Sequence, residues 1–197
     1  MENGIPKLYS FRASGFFYFK TGGIIYMKGY IQVYTGNGKG KTTAAYGVAV
    51  RAIGAGMKVC LVQFIKGLHS SEFNTFKKLS DSIDIFQYGE GNFIFNEPSE
   101  KDIYKAKKGL ERLKAIIASG KYQVVILDEI NMAVYLQIIS IEDIIDILAN
   151  RPENLEVILT GRYAHPKIIE MADLVTEMNE IKHYYKKGVL AREGIEK

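Results

Sequence analysis

The sequence predicts a single α/β domain in which a mostly parallel sheet carries helices on both faces. Apolar runs of strand length alternate with helix-length segments, and the connections between them are short. Two of the runs, 58–64 and 122–127, are almost wholly apolar, as in strands that are covered on both faces. A length of 197 residues suits one such domain with a sizeable core.

Each element follows from a local pattern. Gly54 and Gly56 end an Ala-rich helix, and Pro152 follows the end of a later one. Ser99 is predicted to cap a helix, with Asp102 in the place that Glu takes in a capping box. The predicted strands are 30–34, 58–64, 83–88, 122–127, 155–160 and 174–178. The predicted helices are 42–53, 71–79, 99–119, 141–149 and 166–172.

Residues 1–26 differ from the rest of the chain. A short aromatic run at 16–19 is bracketed by Arg12 and Lys20, and it is too short for a secretory signal. We expect either an N-terminal arm that packs on the domain or on a partner subunit, or an extension that reflects start-site choice. The second interpretation arises because Met27 precedes a clean strand, so the domain itself is predicted at 27–197.

The composition limits the function classes without choosing one. The formal net charge of +4 and the pI near 8.9 fit an anionic ligand as well as nucleic acid. No apolar run approaches the roughly 18 residues that span a bilayer, so no membrane partner is predicted. The single cysteine, Cys60, lies in an apolar run and is predicted to be a core residue. One cysteine makes no intramolecular disulfide, which fits a reducing compartment such as the cytoplasm.

The stretch 34–47, YTGNGKGKTTAAYG, is typical of a loop that holds phosphate between a strand and a helix. Its glycines let the backbone approach an anion, and the helix that follows adds its positive end. Lys41 supplies a cation and Thr42 a hydroxyl for Mg²⁺, whereas Lys39 faces either the ligand or solvent. The usual pattern has Gly where this chain has Thr35. The predicted nucleotide-binding residues of the loop are Gly36, Asn37, Gly38, Lys39, Gly40, Lys41, Thr42 and Thr43.

Other polar residues follow other predicted strands. Asp128 and Glu129 end the run at 122–127, and the segment 63–67 ends the run at 58–64. Strands of a parallel sheet end at one edge, so these residues are expected to meet the loop. An acid in this place holds Mg²⁺ directly or through water, and Thr42, Asp128 and Glu129 are the predicted metal site. The residues predicted to be catalytic are Lys41, Thr42 and Glu129.

Two arginines and two histidines are weaker candidates. Arg51 is included among the nucleotide-binding residues, but it lies about two and a half turns into its helix and need not touch phosphate. Arg162 follows the strand at 155–160 and is predicted to bind phosphate, although a surface ion pair explains it nearly as well. His165 and His183 show no metal-ligand spacing, and structural or surface roles are favoured for both.

Five motifs taken together resemble a known family. They are TGNGKGKTTAA at 35–45, VQFIKG at 62–67, LDE at 127–129, LTGR at 159–162 and IKHYYKKGVLAREGIE at 181–196. From about Met27 onward the chain resembles the phosphate-loop class of ATP:cob(I)alamin adenosyltransferases. The resemblance implies a P-loop NTPase-like (RecA-like) fold, Mg²⁺, and ATP and a corrinoid as substrates.

The reaction that the resemblance implies is not hydrolysis. The Co(I) of cobalamin or cobyrinic acid a,c-diamide attacks the 5′ carbon of ATP, the adenosyl group moves to cobalt, and tripolyphosphate leaves. Family members bind ATP in a reversed sense, with the γ end deep in the loop. An aromatic pair beneath the corrin, here Phe93 and Phe95, helps to remove the lower ligand of cobalt, although the second aromatic is often Trp. The resemblance further implies a homodimer and a flavoprotein or ferredoxin reductant, in adenosylcobalamin biosynthesis or salvage.

Two other hypotheses stay open on the residues alone. An ordinary P-loop ATPase or kinase would want Gly at position 35 and a residue that positions water or an acceptor hydroxyl. A non-catalytic nucleic-acid-binding module would account for the basic pI. Its lysines are dispersed, however, as on the helix at 99–119, which is typical of a solvated face, and no nucleic-acid partner is predicted.

Overall fold

The computed structural model describes residues 20–21, 24–25, 27–65, 67, 70–79, 81–89 and 97–196. An antiparallel pair, β1 (Lys20–Thr21) and β2 (Ile24–Ile25), precedes the main sheet. The strands of that sheet are β3 (Ile31–Thr35), β4 (Val59–Ile65), β5 (Ile83–Gly89), β6 (Val124–Asp128), β7 (Glu156–Thr160) and β8 (Leu174–Glu177). All six are parallel, in the order β5-β4-β6-β7-β3-β8, which confirms the predicted α/β fold class.

Helices connect successive strands and cover both faces of the sheet. They are α1 (Lys41–Gly54), α2 (Ser71–Lys77), α3 (Glu100–Ala118), α4 (Ile130–Tyr135), α5 (Ile141–Ala149) and α6 (Pro166–Met171), and a 3-10 turn follows at Tyr184–Lys187. α1 and α2 pack on one face, and α3 to α6 pack on the other. Alternate residues of the central strands enter the two cores: Leu61 lies in the α1 side and Val62 in the opposite side. The predicted burial of these strands on both faces is confirmed.

Local signals placed the long helices well. α3 begins with the predicted capping box, because the Ser99 side chain accepts from the Asp102 backbone while the Asp102 carboxylate accepts from the Ser99 backbone. α4 was not predicted, since six residues are too few to show a helical period. β8 is an edge strand that pairs only with β3, and it differs from the other five strands of the sheet because all four of its residues are exposed.

The strand order decides what surrounds the loop that follows β3. β7 lies between β3 and β6, so its last residue, Thr160, stands between the loop strand and Asp128. On the other side of β6, Gln63 of β4 is directly opposite Asp128. Four strand ends therefore meet at one edge of the sheet, which is where parallel sheets collect their ligands.

Candidate active site

The loop between β3 and α1 is held by backbone hydrogen bonds to Met178, the residue that follows β8. The Gly38 N–H donates to the Met178 carbonyl over 2.6 Å, and the Met178 N–H donates to the Thr35 carbonyl over 2.9 Å. A Cβ on Gly38 would lie 2.7 Å from that same Met178 oxygen. Gly36 has φ +92 and an equally close neighbour, so both positions require glycine.

Thr35, the residue that departs from the usual phosphate-loop pattern, is buried at the base of the loop. Its Oγ1 accepts a hydrogen bond from the Ala164 N–H over 3.2 Å. Glycine has no side chain to make this contact. The hydroxyl therefore ties the base of the loop to the turn that follows β7, and this is the structural role that Thr35 has here.

Lys41 is the first residue of α1, and its ammonium group lies over the loop. It donates to the Gly38 carbonyl over 2.7 Å. Burial lowers the pKa of Lys41; the negative charges of Glu129 and Asp128 act in the opposite direction, while the positive charge of Arg162 adds to the lowering. Lys41 is therefore within electrostatic range of Glu129, Asp128 and Arg162. A half-buried cation at the N-terminal end of a helix suits a polyphosphate.

Asp128 is fully buried and accepts four hydrogen bonds. Its Oδ1 accepts from the hydroxyls of Thr42 (2.8 Å) and Thr160 (2.7 Å), and its Oδ2 accepts from Gln63 Nε2 (2.8 Å) and, at longer range, the Tyr46 hydroxyl (3.3 Å). Both oxygens are therefore hydrogen-bonded, as a buried carboxylate requires. Burial, and then the charge of Asp128, raises the pKa of Tyr46, which keeps this tyrosine a neutral donor.

Glu129 adopts a left-handed backbone conformation with φ 60, at the start of α4. Its N–H donates to Thr160 Oγ1 over 3.1 Å, and that hydroxyl in turn donates to Asp128. Left-handed backbone costs a non-glycine residue on the order of 1–3 kcal/mol, and such residues cluster at functional sites. The hydrogen bond holds the Glu129 backbone in this strained turn next to Asp128.

Comparison with known proteins shows which family this chain belongs to. The model of a family described as ATP:corrinoid adenosyltransferase BtuR/CobO/CobP matches residues 27–196. The chain belongs to the ATP:corrinoid adenosyltransferase family. The corrinoid adenosyltransferase of Pseudomonas aeruginosa is 37% identical over 170 residues, which cover 86% of this chain and 84% of that protein. That of Escherichia coli K12 is 37% identical over 171 residues, 86% of either chain.

A solved structure supports the fold independently of the adenosyltransferase family. A KaiC-like protein from Pyrococcus horikoshii OT3 superposes with a TM-score of 0.52 over 80% of this chain and 76% of that one. Since the two sequences are only 14% identical, the likeness concerns the fold alone.

The structure brings together most of the residues that the adenosyltransferase motifs single out. Lys41, Thr42, Asp128 and Glu129 meet at the sheet edge, and Arg162 is close enough to Lys41 to influence its pKa. The loop residues Asn37 and Thr43 are exposed at the same edge. Roles in nucleotide or metal binding stay predictions for all of these residues.

Two other predicted contacts, those of Lys39 and Arg51, are not brought to this cluster. Lys39 turns away from it towards the C-terminal segment. Arg51 is exposed in the last turn of α1, ten residues and so about 15 Å along the axis from Lys41. Phe93 and Phe95 lie outside the described residues, so their predicted place beneath the corrin is not tested.

Sequence reasoning missed residues that complete the site. Gln63 appeared only within the segment 63–67, and Tyr46, Thr160 and Met178 were not singled out. Gln63 did carry a signal, since it is polar within an otherwise apolar strand, VCLVQFI. Tyr46 and Thr160 carried none that separates them from ordinary helix and strand residues.

Several weaker expectations have clear outcomes. Cys60 is fully buried in the core, as predicted. His165 and His183 each accept a backbone N–H through Nδ1 at the start of α6 and of the 3-10 turn, so both have structural roles. Within the described ranges, no helix is both long and apolar enough to cross a membrane.

Proposed function

We propose that this chain transfers the 5′-deoxyadenosyl group of ATP to the Co(I) of a corrinoid and releases tripolyphosphate. The observation that carries the proposal is the meeting of Lys41 and the Thr42–Asp128 pair at one sheet edge, in a chain that the adenosyltransferase family model matches over 27–196. An ordinary ATPase or kinase is not favoured by this family membership. A nucleic-acid-binding module is not favoured either.

The residues around Thr42 fit a magnesium ion. The Thr42 hydroxyl donates its hydrogen bond to the buried Asp128 carboxylate, which leaves the lone pairs of the hydroxyl oxygen for a hard cation. Mg²⁺ keeps several waters and takes few protein ligands. Thr42 would hold the ion, Asp128 would orient the hydroxyl, and Glu129 would face the ion or its waters.

The chain's own residues supply binding and charge rather than a nucleophile. Lys41 and backbone amides of the loop would neutralise the triphosphate as it leaves, and magnesium would add its charge to theirs. Arg162 adds a further positive charge near Lys41. The cobalt of the corrinoid is itself the nucleophile, so the protein has to align it with the 5′ carbon and exclude water.

Several finer features belong to the same proposal. Phe93 and Phe95 would form the wedge beneath the corrin, and their joint replacement by Ala should slow adenosylation of Co(II) corrinoid in the presence of a reductant more than it weakens ATP binding. We also propose a homodimer, a flavoprotein or ferredoxin reductant and a cytoplasmic location. These come from the resemblance and, for the location, from the single cysteine.

The experiment that tests the proposal follows two products at once. The purified chain is incubated with Mg-ATP and chemically reduced cobalamin, and the spectrum of the cobalt–carbon bond is recorded while the phosphate product is identified. We expect adenosylated corrinoid and tripolyphosphate in equal amounts, and a large loss of rate when EDTA removes magnesium. ADP and free phosphate would instead indicate an ATPase or kinase. Steeply salt-dependent DNA binding without ATP would indicate a nucleic-acid-binding module.

A further inference from the structure

The tip of the phosphate loop is fastened to the C-terminal end of the described chain through Lys39. Its Nζ donates to the Tyr184 hydroxyl (3.1 Å), the Ile195 carbonyl (3.2 Å) and the Glu196 carboxylate (2.9 Å). A lysine ammonium has three N–H donors, so these acceptors use all of them. In this arrangement Lys39 has no donor left for a phosphate.

Glu196 is the centre of this cluster. Besides Lys39, it accepts from the Arg192 backbone N–H (2.8 Å), from the Arg192 guanidinium (3.1 Å) and from the Tyr184 hydroxyl. Its side chain is only 13% exposed. The Arg192 guanidinium, then Tyr184 and Lys39, hold the pKa of Glu196 well below its usual range. The carboxylate is therefore charged and fully engaged throughout the neutral pH range.

The C-terminal segment, residues 178–196, is thus attached to the loop at two separate points. Met178 binds the base of the loop through Thr35 and Gly38, and the Glu196 cluster binds its tip through Lys39. Together the two attachments restrain a glycine-rich loop, in which each glycine is costly to order.

We propose that Glu196 is a positioning residue for ATP binding, which acts by holding Lys39 and so fixing the tip of the loop against the C-terminal segment. Lys39 is then an anchor and not a phosphate ligand. The proposal rests on the proposed function only in naming ATP as the nucleotide. Fixing the loop in advance removes part of the ordering cost of binding, so it should affect the affinity for ATP more than the chemical step.

A double-mutant cycle tests this proposal. Lys39→Met, Glu196→Gln and the double variant are compared with the unchanged chain for the Kd of Mg-ATP, and for kcat and KM in the cobalamin assay. We expect each single change to weaken ATP binding about three- to tenfold, the effect of losing one hydrogen bond of ordinary net strength. The double variant should be no weaker than either single variant, because both remove the same contact. Lys39→Arg should retain most of the affinity, and kcat should change little.

Two controls make the outcome decisive. Glu111→Gln breaks an exposed ion pair with Lys108 (2.9 Å) on α3, away from the loop, and should leave the Kd unchanged. Melting temperatures of all variants separate an effect on the loop from an effect on the fold.

Three results would overturn the proposal. Lys39 would be a phosphate ligand if Lys39→Met lost much more affinity for Mg-ATP than Glu196→Gln and the two losses added in the double variant. An unchanged Kd for Glu196→Gln would show that Glu196 does not position the loop for ATP binding. A loss of affinity that parallels a fall in melting temperature would show that Glu196 only stabilises the fold. A chain that binds ATP but does not adenosylate cobalamin would contradict the proposed function while leaving this cycle interpretable.

Discussion

The Thr42 hydroxyl at the start of α1 and the Asp128 carboxylate at the end of β6 lie 2.8 Å apart, although the two residues are 86 positions apart in the chain. Thr160 of the intervening strand donates to the same carboxylate oxygen. The pair thus joins the phosphate loop to the acidic strand end, and this contact gives the hydroxyl a fixed direction.

Replacing Thr42 by Ala should slow adenosyl transfer about 10- to 100-fold, because it removes the hydroxyl that would bind magnesium. A higher magnesium concentration should restore part of the rate. The measurement is the initial rate against magnesium concentration, with Thr75→Ala, an exposed threonine of α2, as the matched control. If the Thr42 variant kept the same magnesium dependence as the unchanged chain, Thr42 would not be a metal ligand.

Replacing Gln63 by Leu should lower the free energy of unfolding by about 1–3 kcal/mol, because it removes the shorter hydrogen bond to a fully buried carboxylate oxygen. Only the 3.3 Å contact from Tyr46 would then remain on Asp128 Oδ2. Urea denaturation measures the change. Gln87 provides the control, since it is exposed and its Nε2 donates to Gln63 Oε1 over 2.8 Å. An equal cost for Gln87→Ala would show that the Asp128 contact is not what matters.

Two helical glycines should respond to alanine with opposite signs. A Cβ on Gly47 of α1 would meet nothing within 4 Å, so Gly47→Ala should raise the free energy of unfolding by about 0.5–1 kcal/mol. A Cβ on Gly109 of α3 would lie 2.8 Å from Phe64 and 2.9 Å from Tyr88, so Gly109→Ala should lower it by about 1–3 kcal/mol. Denaturation curves for both variants under one set of conditions check this, and a common sign would contradict the packing of α3 on β4 and β5.

The Cys60 thiol should not react with thiol reagents in the folded protein. It is fully buried, and burial raises its pKa to about 12, so at pH 8 almost no thiolate forms. Labelling should appear only when the chain unfolds, and its rate should rise with denaturant concentration. Rapid labelling of the native chain at pH 8 would contradict the burial of β4.

Patterns local in the sequence were enough to predict the alternating strands and helices. The capping box at Ser99 predicts a helix start, and the apolar runs at 58–64 and 122–127 predict strands buried on both faces. Each of these features leaves a signature within a few residues. The place of Lys41 and Thr42 between a strand and a helix was likewise predictable, since it depends on a short stretch with fixed spacing.

The structural roles of Thr35 and Lys39 could not be predicted from local patterns. In the sequence Thr35 only departs from the usual pattern, whereas in the structure its hydroxyl accepts a hydrogen bond from the Ala164 N–H. The sequence likewise gives no direction for the Lys39 side chain, which in the structure donates to Glu196. α4 and the exposed position of β8 were also not predicted. For Thr35 and Lys39 the decisive neighbour lies far along the chain.

The sequence by itself determined that this chain forms a parallel α/β domain with a phosphate-binding loop, because periodicity and loop spacing are local properties of the chain. Only the tertiary structure decided that Gln63, Tyr46 and Thr160 surround Asp128 and that Lys39 is held by Glu196, 157 positions away. Those contacts depend on the order in which the strands pair and on where the C-terminal segment lies. Because no short window of sequence specifies that order, the partners of a buried carboxylate or of an anchored lysine become visible only in the folded chain.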